Sequence, residues 1–282
     1  MSVRIIIDST ANTVPGSEGH FSVVPLTVCF GEEEYIDGVT IDHRSFYEKL
    51  IESDVLPTTS QATPEAFCRV FREVAAAGDT AVVITISSTL SGTCQSALIA
   101  AADYPGRIFV VDSRSASIGT GILAHRGLAL AEEGLEAEAI AARLEQEREQ
   151  IRVVALLDTL EYLKKGGRIS KTAAFAGGLL SIKPVVALRD GQIVLLGKAR
   201  GSRQGSNLLA QEITAAGGVD FSRPVLLGYT GLSDLLLQKY REDSRDLWAE
   251  HTDSLPLAPI GSVIGTHAGP GAIAAAFFTS AR

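Results

Sequence analysis

Short aliphatic runs at residues 4–7, 81–86 and 107–112 alternate with helical patterns through the first half of the chain, and that alternation leaves few folds open. Strands covered on both faces read as unbroken aliphatic runs, and parallel neighbours need a crossover of a dozen or more residues between them. Helices predicted at 65–77, from the turn at Ser91 to about 102, at 119–133 and at 135–150 supply such crossovers. Residues 1–150 are therefore expected to form an α/β domain, a mostly parallel sheet with helices on both faces. One region departs from the pattern. Residues 21–30 read as a strand that returns through 32–39 as a hairpin, after which Asp42 caps a helix to about 51.

From Arg152 the pattern restarts. A strand at 153–157 is followed by a short helix at 159–165, then Gly166-Gly167-Arg168 and a weakly polar helix to about 180. Runs at 182–188 and 193–198 flank Asp190-Gly191, the signature of a tight hairpin. A helix at 206–216, a strand at 224–229 and a long helix at 232–250 follow. Residues 151–282 are expected to form a second α/β domain with a mixed sheet.

Composition narrows the function classes. A net charge of −8 argues against a nucleic-acid binder or a polybasic membrane-surface protein. Three widely spaced cysteines, Cys29, Cys68 and Cys94, form no metal-ligand pairing and suit a reducing cytoplasm. The start of the chain shows no signal peptide, and no stretch approaches the length of a membrane span, so stable membrane insertion is not expected. An apolar share of 46% fits a tightly covered sheet, and equally a protein lining an apolar cavity.

Several polar loops stand where ligands gather in α/β proteins. Asp8-Ser9-Thr10 closes the first strand at its carboxyl end. Thr63 caps the helix that begins with Pro64, which leaves Thr59, Ser60 and Gln61 without a capping task. Between strand and helix, Ser87-Ser88-Thr89-Leu90-Ser91-Gly92-Thr93 makes a hydroxyl-rich turn at a helix N-terminus, a cradle for an anion. It lacks the glycine spacing and lysine of a nucleoside-triphosphate loop, and Ser91 would also serve simply as an N-cap. Lys164 and Lys165 suit a helix C-terminus, an explanation that does not extend to Arg168.

Near the end, residues 259–274 read as a short apolar strand, a loop containing Gly265, Thr266 and His267, and a helix start. Backbone N–H groups and one imidazole would then face a shared crevice suited to an anion. Gly269-x-Gly271-x-x-Ala274 mimics a dinucleotide fingerprint but lacks the following strand and acidic residue that binding requires. A plain tight turn with His267 as an ordinary loop residue accounts for the same letters.

Taken in order, Asp8-Ser9-Thr10, Val24-Pro25-Leu26, Tyr35-x-Asp37-Gly38-Val39, Thr59-Ser60-Gln61, Ser87-Ser88-x-Leu90-Ser91-Gly92-Thr93, the run from Leu160 to Ile169 and Ile264-Gly265-Thr266-His267-x-Gly269-Pro270-Gly271 resemble the DegV family of bacterial lipid-binding proteins. The resemblance runs through almost the whole chain. It implies two α/β domains with a long-chain fatty acid, C14 to C18, at their interface and its tail in the second. Thr59 and Ser91 would hold the carboxylate with Arg168 and His267 nearby; Ser60, Ser88, Gly92 and Thr266 complete the expected head-group set. No cofactor is implied beyond the lipid itself. Some relatives are the binding subunit of fatty acid kinase and present the carboxylate to a separate ATP-using subunit, which yields acyl phosphate for phospholipid synthesis. Ala62 and Cys94 depart from the family pattern, which often has proline and an aromatic there, and would alter which acyl chain fits.

Two further expectations can be tested. Arg168 would either pair with the carboxylate or lie at the opening as part of a partner surface. Alternatively, the chain would be a hydrolase or transferase for a small carboxylate or phosphate, with Ser91 or Thr59 as nucleophile, His267 as general base and Asp8 as its orienting acid in space.

Overall fold

A computed structural model describes residues 2–169 and 182–279 of the chain; the helix expected to about residue 180 falls largely outside them. In chain order the elements are β1 (Val3–Asp8), β2 (Phe21–Val24), β3 (Thr27–Phe30), β4 (Glu33–Ile36), α1 (His43–Glu52), β5 (Thr58–Ser60), α2 (Pro64–Ala76), β6 (Thr80–Thr85), α3 (Thr93–Ala101), β7 (Ile108–Asp112), α4 (Ile118–Glu132) and α5 (Ala137–Glu147). There follow β8 (Ile151–Leu156), α6 (Glu161–Lys165), β9 (Ile182–Arg189), β10 (Gln192–Arg200), α7 (Gly201–Ala215), β11 (Leu226–Tyr229), α8 (Leu235–Asp243), α9 (Arg245–Trp248), β12 (Leu257–Pro259), α10 (Ser262–Ala268) and β13 (Ile273–Phe278).

The fold is two α/β domains. The first carries a parallel sheet in the order β2-β1-β6-β7. Beside it lies a small antiparallel sheet, β4-β3-β5. Residues 21–30 are thus two strands in two sheets, because Pro25 has no N–H to continue the ladder and the chain turns there. The second domain is a mixed sheet in the order β10-β9-β8-β13-β11-β12. The expected caps form: Asp42 accepts from the Ser45 N–H, and Thr63 from that of Ala66. Asp190 and Gly191 both take positive φ, as a two-residue hairpin twisted like its strands requires. The long helix expected at 232–250 is instead α8, α9 and a 3-10 turn, Ala249–Ser254.

Residues 259–274 reverse their expected order: helix α10 comes first and strand β13 after it. Gly269 and Gly271, at φ of 71° and 79°, end the helix and turn the chain, and within the helix Thr266 Oγ1 donates back to the Ser262 carbonyl. The run Ile273–Phe278 then extends as a central strand between β8 and β11, buried on both faces.

Helix α4 joins the domains. Its buried residues Ile118, Ile122 and Leu123 share one core with Ile5 and Val82 of the first sheet and Val153, Leu226 and Ala276 of the second. A helix apolar on every side belongs between layers. Helices α1 to α3 cover the other face of the first sheet, and α7 to α9 that of the second.

Candidate functional site

A cavity of about 430 Å³ lies between the domains, within the size range of small-molecule sites. Its wall is mostly aliphatic. Val153, Ala155 and Leu157 come from β8 and the residue after it, Val186 and Leu188 from β9, Ala272 and Ala274 from β13 and the turn before it. On β8 the lining residues alternate because every second side chain faces the same side; on β9 Ala187 joins Val186 and Leu188 on the wall, and the register sets Ala155 opposite Ala274. Val263, Ile264 and Ala268 of α10, with Ile86, Leu90 and Ile118, close the remainder.

The polar groups gather where Thr59, Ser60, Gln61, Ser91, Gly92, Arg168 and His267 line the wall. Pairing of β5 with β3 sets Thr59 opposite Val28. The Ser91 hydroxyl lies 2.9 Å from that of Thr93 and accepts from the Thr93 N–H at 3.3 Å. The N-cap of α3 is Gly92, which has no side chain to bond the helix's first N–H groups; Ser91 takes that of Thr93, and the positive end of the helix lies beside the cavity. A Cβ on Gly92 would stand 2.0 Å from the Gln61 amide oxygen, so a larger residue there would displace the Gln61 side chain from its hydrogen bond to Ser96.

His267 occupies the last turn of α10. Its Nε2 lies 2.9 Å from Thr59 Oγ1, a hydrogen bond spanning 208 residues of sequence. Its Nδ1 is buried with no partner among the described residues, against Gly166, where a Cβ would come within 2.2 Å. Burial, and after it the charge of Arg168, lowers the His267 pKa to about 4, so the imidazole is neutral at pH 7. Arg168 is placed by a Schellman turn at the end of α6: Gly167 takes φ of 70°, its N–H bonds the Lys164 carbonyl, and the Arg168 N–H bonds that of Leu163. The guanidinium then donates to the carbonyls of Leu90 at 3.1 Å and Gly166 at 2.6 Å, tying one domain's loop to the other's.

Six of the eight expected site residues therefore share one cavity, while Ser88 and Thr266 are not among those lining it. Ser88 Oγ donates to Asp112 at 2.5 Å on the outer side of its turn. Thr266 precedes His267 on a helix, so it points about 100° away and bonds its own helix instead. Asp8 does not orient His267; it accepts from both donors of Thr10 and from the Ile86 N–H, joining the ends of β1 and β6. Ser117 and Thr230 also line the cavity, and nothing in their local sequence marks them, since the strand register and the start of α4 bring them there. Among the described residues no group of His, Cys, Asp and Glu could hold a metal, and no helix is long and apolar enough to cross a membrane.

Comparison with known proteins places this architecture. A DegV domain-containing protein of Caldanaerobacter subterraneus is 35% identical over 264 residues, covering 91% of this chain and 90% of its own. One from Deinococcus radiodurans is 32% identical across 98% of both. Among solved structures, a fatty-acid-binding DegV family protein from Thermus thermophilus is 35% identical with a TM-score of 0.85, covering 99% of this chain and all of that one. A stearic-acid-binding protein from Eubacterium ventriosum, 28% identical, has a TM-score of 0.83 over 99% of this chain and 98% of its own. The model of the DegV family, described as uncharacterised proteins, matches residues 2–280, and with sequence, topology and relatives in agreement the chain belongs to that family.

Proposed function

We propose that the protein binds one long-chain fatty acid of C14 to C18, its tail in the aliphatic part of the cavity and its carboxylate at Thr59 and Ser91. The observation that carries this is the division of one cavity into a mostly aliphatic body and a cluster of polar groups, Thr59, Ser60, Gln61 and Ser91, beside the N-terminus of α3, while the hydroxyls of Ser117 and Thr230 on the same wall are engaged with Asn12 and with the Ala272 N–H. That division matches an amphiphile with one anionic end. Residues 1–150 would supply Thr59, Ser60, Ser91 and Gly92 to the head group, and residues 151–282 the tail pocket with Arg168 and His267. The fatty-acid binding named for the Thermus and Eubacterium relatives supports the same ligand.

The energetics favour enclosure. A palmitoyl-sized tail has about 15 carbon groups at about 0.8 kcal/mol each, or about 12 kcal/mol gross before ordering costs. Each charge-assisted hydrogen bond to the carboxylate adds about 1.5 to 3 kcal/mol and fixes orientation. Neutral His267 serves as a hydrogen-bonding partner of Thr59 rather than a counter-ion, and aligns its hydroxyl.

In this reading the protein is not itself catalytic. It works in the cytoplasm, handing the carboxylate to a separate ATP-dependent kinase subunit that makes acyl phosphate for phospholipid synthesis. The family resemblance supports the kinase. Against a hydrolase stand the low basicity of His267 and the want of a carboxylate bonded to it among the described residues.

Mass spectrometry of the purified protein, native and then denatured, tests the ligand. One C14 to C18 fatty acid per chain is expected. A bare mass from protein that also refuses added fatty acids would overturn the reading.

A further inference from the structure

The helix that carries His267 is held at its opposite end by a carboxylate from the other domain. Asp37, just past β4, is 7% exposed, and its Oδ1 accepts from Ser262 Oγ at 2.5 Å and from the Ser262 N–H at 3.3 Å. Its own N–H donates to the Leu26 carbonyl, and Gly38, at φ of 73°, turns the chain directly after it. The carboxylate is thereby fixed to the first domain and aimed at the first residue of α10.

We propose that Asp37 is a positioning residue for the carboxylate site: by holding the N-terminus of α10 it sets where His267, at the far end of that helix, meets Thr59. The inference rests on the fatty-acid reading and adds a residue that is not itself part of the cavity wall.

Three observations carry it. Helix α10 has seven residues, so its ends lie roughly 10 Å apart and a shift at one end is delivered to the other. Its N-cap, Gly261, has no side chain to bond the free N–H groups, and Asp37 stands in that place, also favoured by the helix dipole. A Cβ on Gly261 would stand in ordinary van der Waals contact with Asp37 Oδ1, 3.7 Å away, so the carboxylate lies directly against this end of the helix. The first domain also grips the flank: Tyr47 donates its hydroxyl to the Ile260 carbonyl at 3.1 Å, and Gly265 leaves no room for a Cβ against Tyr47 and Phe46. With its side and end fixed, the helix presents His267 in register with Thr59. A site of this kind tolerates displacements of only about 0.5 Å.

The test separates head group from tail. Affinities for palmitic acid and for hexadecanol are measured on delipidated wild type and on Asp37→Ala, Asp37→Asn and Ser262→Ala, together with melting temperatures. Asp37→Ala should weaken palmitic acid binding about ten- to a hundredfold, the equivalent of losing one charge-assisted contact, and leave hexadecanol unchanged. Asp37→Asn should recover most of the loss, because its amide oxygen still accepts from Ser262. Ser262→Ala should show a smaller loss for the acid alone, and it decides the matter if Asp37→Ala does not fold. Equal losses for acid and alcohol, or no loss for the acid, would overturn the inference while the fatty-acid reading stands. Wild type that does not prefer the acid would overturn both.

Discussion

His267 stays uncharged because its ring is buried and Arg168 is close, and both effects disfavour a second proton. Its folded pKa of about 4 lies below the ordinary 6.5, so between those values the unfolded chain takes up the proton and the folded one does not. The stability this contributes is full above pH 6.5 and is lost as the pH falls toward 4, by about 3 kcal/mol at most. Asp8 and Asp37, buried and shifted upward, act in the opposite sense as the pH falls. Urea unfolding of ligand-free wild type and His267→Gln at pH 7 and pH 4.5 isolates the histidine: the variant should lose less stability on acidification, and an equal loss would contradict the assignment. At the same scale, Thr59→Val and Ser91→Ala should each weaken fatty acid binding about tenfold or more without altering the preference for chain length, because they touch only the head-group end. Equilibrium binding across a C12 to C18 series checks this. Thr59 and Arg168 stand out in the sequence as polar groups that no local task uses up, whereas Ser91 and His267 also have ordinary readings, as an N-cap and a loop residue, and are singled out by the family resemblance. Their meeting was not legible, because the Thr59–His267 bond joins positions 208 apart.

Elements with self-contained signals could be read from sequence, and those defined by their neighbours could not. Asp42 and Thr63 cap their helices because cap and helix lie within three residues of each other. By contrast, 259–264 is short and apolar, and such a run is ambiguous until something outside it decides. Asp37 at one end and the glycine turn at the other make Ser262–Ala268 a helix, and β8 and β11 make Ile273–Phe278 a strand. The same dependence appears in α4, where glycines serve contact between layers. A Cβ on Gly121 would lie 1.9 Å from the Asn12 carbonyl oxygen, a backbone atom that cannot rotate away. Gly121→Ala should therefore destabilise the protein by about 1 to 3 kcal/mol despite alanine's higher helix propensity. Chemical denaturation reads the change, and a gain in stability would show that the loop after β1 yields freely.

At the scale of the whole molecule, α4 makes the two domains one folding unit. Most paired domains meet over a polar seam and unfold separately, but here the shared core runs from Ile5 and Val82 through Ile122 to Val153 and Ala276. Separating the domains would expose both sheets' inner faces and strip α4 of its cover on one side. The cavity lies along the same seam, so its ligand also touches both halves. Unfolding of the ligand-free protein should then be a single cooperative step. Trp248, the one tryptophan of the chain, is fully buried in the second domain's outer core and reports on that domain alone, whereas far-ultraviolet circular dichroism averages over both. The two signals should fall at the same denaturant concentration. Fatty acid at a hundred times its dissociation constant should move both together, by about 2.7 kcal/mol. A tryptophan transition that precedes the dichroism change would mean that the second domain opens first, and that α4 is held chiefly by the first sheet.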